Sequence, residues 1–320
     1  MIKVLMVKGF GHSIFERMKL MGFNSTLTTE RIVKESITER ELYKENNWVN
    51  HLIQNQLNDE LLLRAQLGNK EFKTLNNLNS QVCIIEMESY NNENSYVGNN
   101  YPDAVHYSKI VRSVFEQHSF RPFMTMQNQR LVILAFDLFP TKTRKEQLAK
   151  KEKLQLISNQ IDTILNRDEC EKIRVFMGVS SSYKGFESSY YSYDEASKAI
   201  FLKFFFKSSI IFYDDLGAFQ ILLNLYEKEM LQSYVLRHLG PLIEEDQKKN
   251  SDLLKTLKIY LERNGSKQSA ADELHIVRQS LYYRLEKIKE LLGEDFMGIQ
   301  NRLALQLAFQ AYELLKFEAN

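Results

Sequence analysis

The stretch Ser266-Lys-Gln-Ser-Ala-Ala-Asp-Glu-Leu-His-Ile-Val-Arg-Gln-Ser-Leu-Tyr-Tyr-Arg-Leu285 decides how the chain is read. Its pattern is that of a helix-turn-helix. Ala271 is small enough for two short helices to cross closely, and Leu274, Ile276, Leu281 and Leu285 fall where the core between them belongs. His275 falls at the corner, where a left-handed backbone is needed and histidine is better tolerated than most residues. The second helix is expected to begin near Arg278 and to present Arg278, Gln279, Ser280, Tyr282, Tyr283 and Arg284 outward. Arginine and glutamine pair bidentately with guanine and adenine edges in the major groove. These six residues, with Lys287 further along, are therefore the expected DNA-binding set. A compact three-helix unit without a nucleic-acid role could carry the same spacing. The agreement of small, apolar and polar positions favours DNA.

Beyond Leu285, Glu286-Lys-Ile-Lys-Glu-Leu-Leu-Gly293 extends the second helix and stops it at a glycine. Residues 301–315 are strongly apolar and are expected to form a helix covering the back of the pair. The order Tyr260-Leu-Glu-Arg-Asn-Gly265, helix-turn-helix, Leu281-x-Tyr283-Arg284-Leu285-x-x-Ile288, then Arg302-Leu-Ala-Leu-Gln-Leu307 resembles the C-terminal domain of PucR/CdaR-type transcription regulators. The family's usual His-Arg-Asn-Thr-Leu opening of the recognition helix reads Val277-Arg278-Gln279-Ser280-Leu281 here. Asn-to-Gln and Thr-to-Ser keep the chemistry, whereas the histidine is lost. The resemblance implies a metabolite-responsive, sequence-specific regulator, leaning toward activation of a catabolic or amino-acid-linked operon.

At 320 residues the chain has room for two or three domains. Its formal net charge of +1 provides no global basic field, and residues 251–320 balance ten Lys/Arg against ten Asp/Glu. Between Arg278 and Lys289, however, Arg278, Arg284, Lys287 and Lys289 face one acid, Glu286. A locally cationic helix suits a sequence reader rather than a non-specific coating protein. A homodimer on a double-stranded operator would double that face. The two cysteines, Cys83 in an apolar run and Cys170 in a polar connection, form no CxxC pair, so no metal or other cofactor is expected. No signal peptide or membrane-length apolar run is visible, and a cytoplasmic protein is expected.

Residues 1–28 remain unassigned; Gly9 and Gly11 suggest a turn, lacking the third glycine and the Lys-Ser/Thr pair of a phosphate loop. Residues 29–79 read as linker helices. Thr29 caps the first of them, Trp48 is a packing anchor, and the stretch is a candidate dimer seam. Residues 80–214 alternate strand, helix, hairpin, helix, strand, helix, strand, with the hairpin turning at Gln127-Asn128-Gln129. Residues 215–250 read as a helical connector broken at His238-Leu-Gly-Pro241, with His238 ending a helix. The fold class expected is α+β and multidomain. A mixed-sheet central domain precedes an all-α helix-turn-helix domain at residues 251–320.

The central pattern resembles the degenerate GGDEF-like domain of the same regulators, with a ferredoxin-like core. Active nucleotidyl cyclases of that class need hairpin acids to hold magnesium. The tip Met126-Gln-Asn-Gln-Arg130 has no acid and no glycine, and Glu86 and Glu88 alone lack convergent partners. Catalysis is therefore not expected. The runner-up to DNA binding is a protein-interaction scaffold. The hydroxyl- and aromatic-rich run 178–196 reads first as a strand-to-helix connection, since Ser192-Tyr-Asp-Glu-Ala196 fits a structural helix of the family; the alternative is a small-molecule effector site, with Tyr183, Lys184 and Tyr190 as its candidates.

Overall fold

The structure is a computed structural model describing residues 45–54, 60–90, 96–98, 104–139, 143–166, 172–249 and 251–318. The turn expected at Gly9–Gly11, the helix start at Thr29 and Cys170 lie outside the described residues. The architecture is mixed α/β, in two compact units: Met1–Met177 with Ser182–Asp194, and Gly178–Ser181 with Glu195–Asn320. The division thus falls near residue 195, upstream of the boundaries expected at 214/215 and 250/251.

In the first unit, a helix over residues 45–53 (α1) is followed by α2 (Glu60–Leu67) and α3 (Asn69–Leu75). Next come β1 (Asn79–Tyr90), β2 (Tyr96–Gly98), α4 (Ala104–Gln117), β3 (Phe120–Gln127), β4 (Arg130–Asp137), α5 (Arg144–Leu165), most of β5 (Lys172–Val179) and β6 (Tyr183–Lys184). The strands stand in the order β3-β4-β1-β5, with β2 and β6 also pairing with β1. β4 is antiparallel to both neighbours, Phe136 facing Ser80 on one side and Arg121 on the other. Every residue of β4 from Leu131 to Asp137 is buried, as its unbroken apolar run requires. The hairpin tip is tighter than expected: Gln127 pairs with Arg130, and Asn128 and Gln129 both take positive φ (48° and 65°). That is the two-residue turn whose twist suits a hairpin, and asparagine tolerates it well.

β3 leaves one edge open, and α1 covers it. Met126 N and Thr125 Oγ1 donate to Asn46 Oδ1 at 2.9 and 2.6 Å, and Glu45 pairs with Arg112. Asn46, which interrupts the apolar stripe of α1, therefore satisfies strand groups that would otherwise invite another chain. Trp48 packs edge-on to Phe123 (5.1 Å) and Phe186 (6.4 Å). It is 6% exposed. Glu86 pairs with Arg130. Asp137 and Lys150 are buried, Lys153 is half-buried beside them, and Lys150 Nζ donates to Ser182 Oγ at 3.0 Å.

Cys83 is fully buried on β1. Burial pushes its thiol from the ordinary 9.0 up to about 12, against the opposing pull of the Lys150 charge and a Gln81 contact. The folded state thus favours the protonated thiol. The stability this confers is complete below pH 9.0 and is lost as pH rises toward about 12. With Cys170 replaced by serine, the folded chain should react with no thiol reagent at neutral pH, and one thiol should appear on denaturation.

The second unit holds most of α6 (Ser189–Phe201), then α7 (Lys203–Phe206), β7 (Ile210–Phe212), α8 (Phe219–Glu227), α9 (Leu231–Lys249), α10 (Leu253–Glu262), α11 (Lys267–Leu274), α12 (Arg278–Leu292) and α13 (Ile299–Glu318). Gly178 is needed here: a Cβ would lie 2.5 Å from the Ala196 carbonyl oxygen and 2.7 Å from Ile200 N. The break expected at Pro241 does not occur, and His238 lies mid-helix with its ring 4.7 Å from that of Tyr234. An interior proline costs about 3 kcal/mol. Leu231, Val235, Leu239 and Leu242 are all buried along α9, at about 1.5–3 kcal/mol each, so the stripe outweighs the lost hydrogen bond. These residues share one core with Leu257, Leu281, Leu285, Ile288, Ala308 and Leu314. α9 is thus a wall of the C-terminal module rather than a tether. α13 packs chiefly against α9, rather than chiefly over the back of α11 and α12 as expected, and against α10 through Lys258–Glu313.

Candidate nucleic-acid interface

α11 starts at Ser266, whose Oγ accepts a hydrogen bond from Ser269 N at 3.3 Å. Ala270 and Ala271 are buried where α11 meets its neighbours. The helix closes at His275, which takes the left-handed conformation (φ 54°, ψ 41°). Ile276 N then reaches back to the Ala271 carbonyl (3.1 Å) and His275 N to that of Asp272 (3.2 Å), the paired closure of a Schellman motif. A β-branched side chain tolerates this backbone poorly. His275→Val should lower the stability of the module by about 1–2 kcal/mol, read as a shift in thermal unfolding.

α12 buries Leu281, Leu285 and Ile288 and turns its other face to solvent. Arg278, Gln279, Ser280, Tyr282 and Tyr283 are all exposed, Tyr283 by 75%. Val277 holds the N-cap position without a side-chain cap and is itself exposed. The first N–H groups of α12 therefore open outward beside Arg278 and Gln279, an arrangement that attracts anions. Lys267, at the start of α11, lies 4.3 Å above the Tyr282 ring. Sequence reasoning missed this residue because fifteen positions separate the two side chains, and only the turn brings them together.

The cationic rod expected on α12 is largely neutralised within the module. Arg284 bonds to Asp252 and Thr256, Lys287 to Glu290 and Lys289 to Glu294, the last two at 2.7 Å. Hydrogen bonds to these carboxylates hold both ammonium groups above the ordinary lysine range. Among the described residues, only Arg278 of the four lacks a side-chain partner. Asp252, Glu290 and Glu294 all lie outside residues 278–289, so the local cationic excess is smaller than those residues alone imply. The outward presentation expected of Arg284 is likewise corrected: its side chain is 23% exposed and points back to α10.

Residues 253–311 match the family model of the PucR C-terminal helix-turn-helix domain. The C-terminal module is a PucR-type helix-turn-helix domain. Similar proteins include the proline-responsive transcriptional activator PutR of Bacillus subtilis (strain 168), 33% identical over 95 residues. That alignment covers 30% of this chain and 23% of the relative. The purine catabolism regulatory protein of the same organism is 35% identical over 94 residues, 29% of this chain and 18% of the relative. The likeness to these regulators therefore spans less than a quarter of their lengths. A crystal structure of a regulator of polyketide synthase expression from Bifidobacterium adolescentis aligns over 84% of this chain and 91% of its own, at 15% identity. Its TM-score is 0.37.

Outside the PucR-type domain, Tyr183 and Lys184 form β6 against Asn79 and Ser80 of β1, and Tyr190 lies on α6, exposed, edge-on to Tyr191 at 5.6 Å. The three effector candidates thus sit on two different elements. Among the described residues no cluster of three or more His, Cys, Asp or Glu side chains could hold a metal ion, and no helix is long and apolar enough to cross a membrane.

Proposed function

We propose that the chain is a cytoplasmic, sequence-specific transcription regulator that binds a double-stranded operator as a homodimer. α12 enters the major groove, with Arg278 and Gln279 reading base edges and Ser280, Tyr282, Tyr283 and Lys287 meeting the flanking backbone. Lys267 adds a phosphate contact from α11. The observation that carries this reading is the exposed Arg-Gln-Ser/Tyr-Tyr face on the second helix of a PucR-type module. The first unit is read as a degenerate GGDEF-like domain with a ferredoxin-like core, a reading supported by the order β3-β4-β1-β5 with antiparallel β4 inside it. It serves as a sensor rather than a catalyst: the hairpin tip is Asn128-Gln129, and Glu86 is held by Arg130. A small metabolite near Tyr183, Lys184 and Tyr190 is its effector, and activation is the direction in keeping with the PutR likeness.

The internally paired cations favour one competing reading, a protein-interaction module. Selection of duplexes by the full chain from a randomised pool separates the two. Recovery of a palindromic motif with half-sites about one helical turn apart is expected, with binding that weakens steeply as salt rises. A pool that stays random after selection would sink the DNA reading.

A further inference from the structure

We infer that Arg284 is a positioning residue of the recognition helix and not one of its DNA contacts. The inference rests on the DNA-reading role proposed above. The Arg284 guanidinium donates from Nη1 to Thr256 Oγ1 at 3.1 Å and from Nη2 to Asp252 Oδ2 at 3.4 Å. Thr256 is fully buried, and its hydroxyl donates in turn to the Asp252 carbonyl at 2.7 Å. That hydroxyl gives its single proton to Asp252 and takes one from Arg284. Asp252 holds a left-handed backbone (φ 56°) at the start of α10.

The same turn is fixed from α9. Asp246 accepts from Leu253 N at 2.7 Å, from Leu254 N at 2.9 Å and from Ser251 Oγ at 2.7 Å. An unbroken set of bonds therefore runs from α9 through the first turn of α10 to the middle of α12. The apolar contacts of Leu281, Leu285 and Ile288 resist separation of α12 from the core but are non-directional. The planar fork of Arg284 supplies direction, because its two donors meet acceptors that stand four residues apart on one face of α10. α12 is about 22 Å long at 1.5 Å per residue, so a tilt of about 5° moves one end by about 2 Å against the other. A shift of that size separates a bidentate base contact from a missed one. Lysine would keep the charge beside Asp252 but could not hold both acceptors.

The test uses the full chain, its selected operator and an unrelated duplex, with R284K, R284Q and T256V beside the parent. Each affinity is measured across a salt series. R284K and T256V are expected to lower the ratio of specific to non-specific affinity about tenfold, comparable to one mismatched base pair. The non-specific affinity and the slope of log K against log salt should stay at the parent values, since no phosphate contact is removed. The inference is overturned if R284K behaves as the parent while R284Q flattens the slope by about one unit, for then Arg284 meets a phosphate. It is equally overturned if the variants melt earlier but keep the parent's specificity ratio. A parent chain with no specific complex would sink the DNA reading itself, and this inference with it.

Discussion

Replacing Arg278 and Gln279 together by alanine should abolish operator preference while leaving the fold intact. Both side chains are exposed at the start of α12, and neither takes part in the core of the module, so their removal leaves Leu281, Leu285 and Ile288 undisturbed. Each lost bidentate contact should reduce discrimination by about 1–3 kcal/mol in each half-site. The single variants should differ in kind. Gln279→Ala removes a neutral reader and should leave the salt dependence unchanged. Arg278→Ala removes the α12 cation that, among the described residues, has no acidic side chain beside it, and should weaken binding to unrelated DNA as well. Lys289→Ala should have little effect, because its ammonium already answers Glu294. Fluorescence anisotropy with operator and unrelated duplexes checks all of these. Equal operator affinity for the double variant and the parent would show that another surface reads the DNA.

What could be read ahead of the structure followed how local the controlling physics was. Ala271 and His275 were legible because a close crossing and a left-handed corner are steric demands on single residues, and the structure meets both there. The strands at residues 81–87 and 130–136 were legible from their apolar runs. Pro241 was misread because a local rule was applied without the burial on either side of it, which only the folded core supplies. The cationic rod was overstated for a related reason. The partners of Arg284, Lys287 and Lys289 come from α10, from further along α12 and from beyond its end, and a window count cannot see which acids return to meet a base. The interruption at Asn46 marked a long-range duty rather than a weakness, since its carbonyl serves a strand about eighty residues away.

Phe136→Ala should remove about 3–5 kcal/mol from the stability of the first unit. Phe136 is fully buried on the central strand β4, and its ring lies 4.7 Å from that of Phe186 and 6.0 Å from that of Phe123. The backbone ladder to Ser80 and Arg121 does not depend on the side chain, so the loss measures the ring alone. How large it is depends on whether the neighbours can close the space. Phe186 is poorly placed to move: it stacks on Phe72 at 5.6 Å, its N–H reaches Asn76 Oδ1 at 3.4 Å, and Gly185 before it packs so tightly on Asn76 that a Cβ would stand 2.3 Å from that same oxygen. Phe123 is fixed by its strand pairing and by Trp48. The cavity should therefore persist, which places the expectation in the upper half of the range. Trp48, the one tryptophan of the chain, touches both Phe123 and Phe186, so its fluorescence follows this core directly in a urea titration. Phe136→Leu, which keeps most of the apolar volume, should lose less than about 1.5 kcal/mol. A shift for Phe136→Ala no larger than that for Phe136→Leu would mean that the aromatic group collapses around the gap, and that Phe186 is freer than its contacts imply.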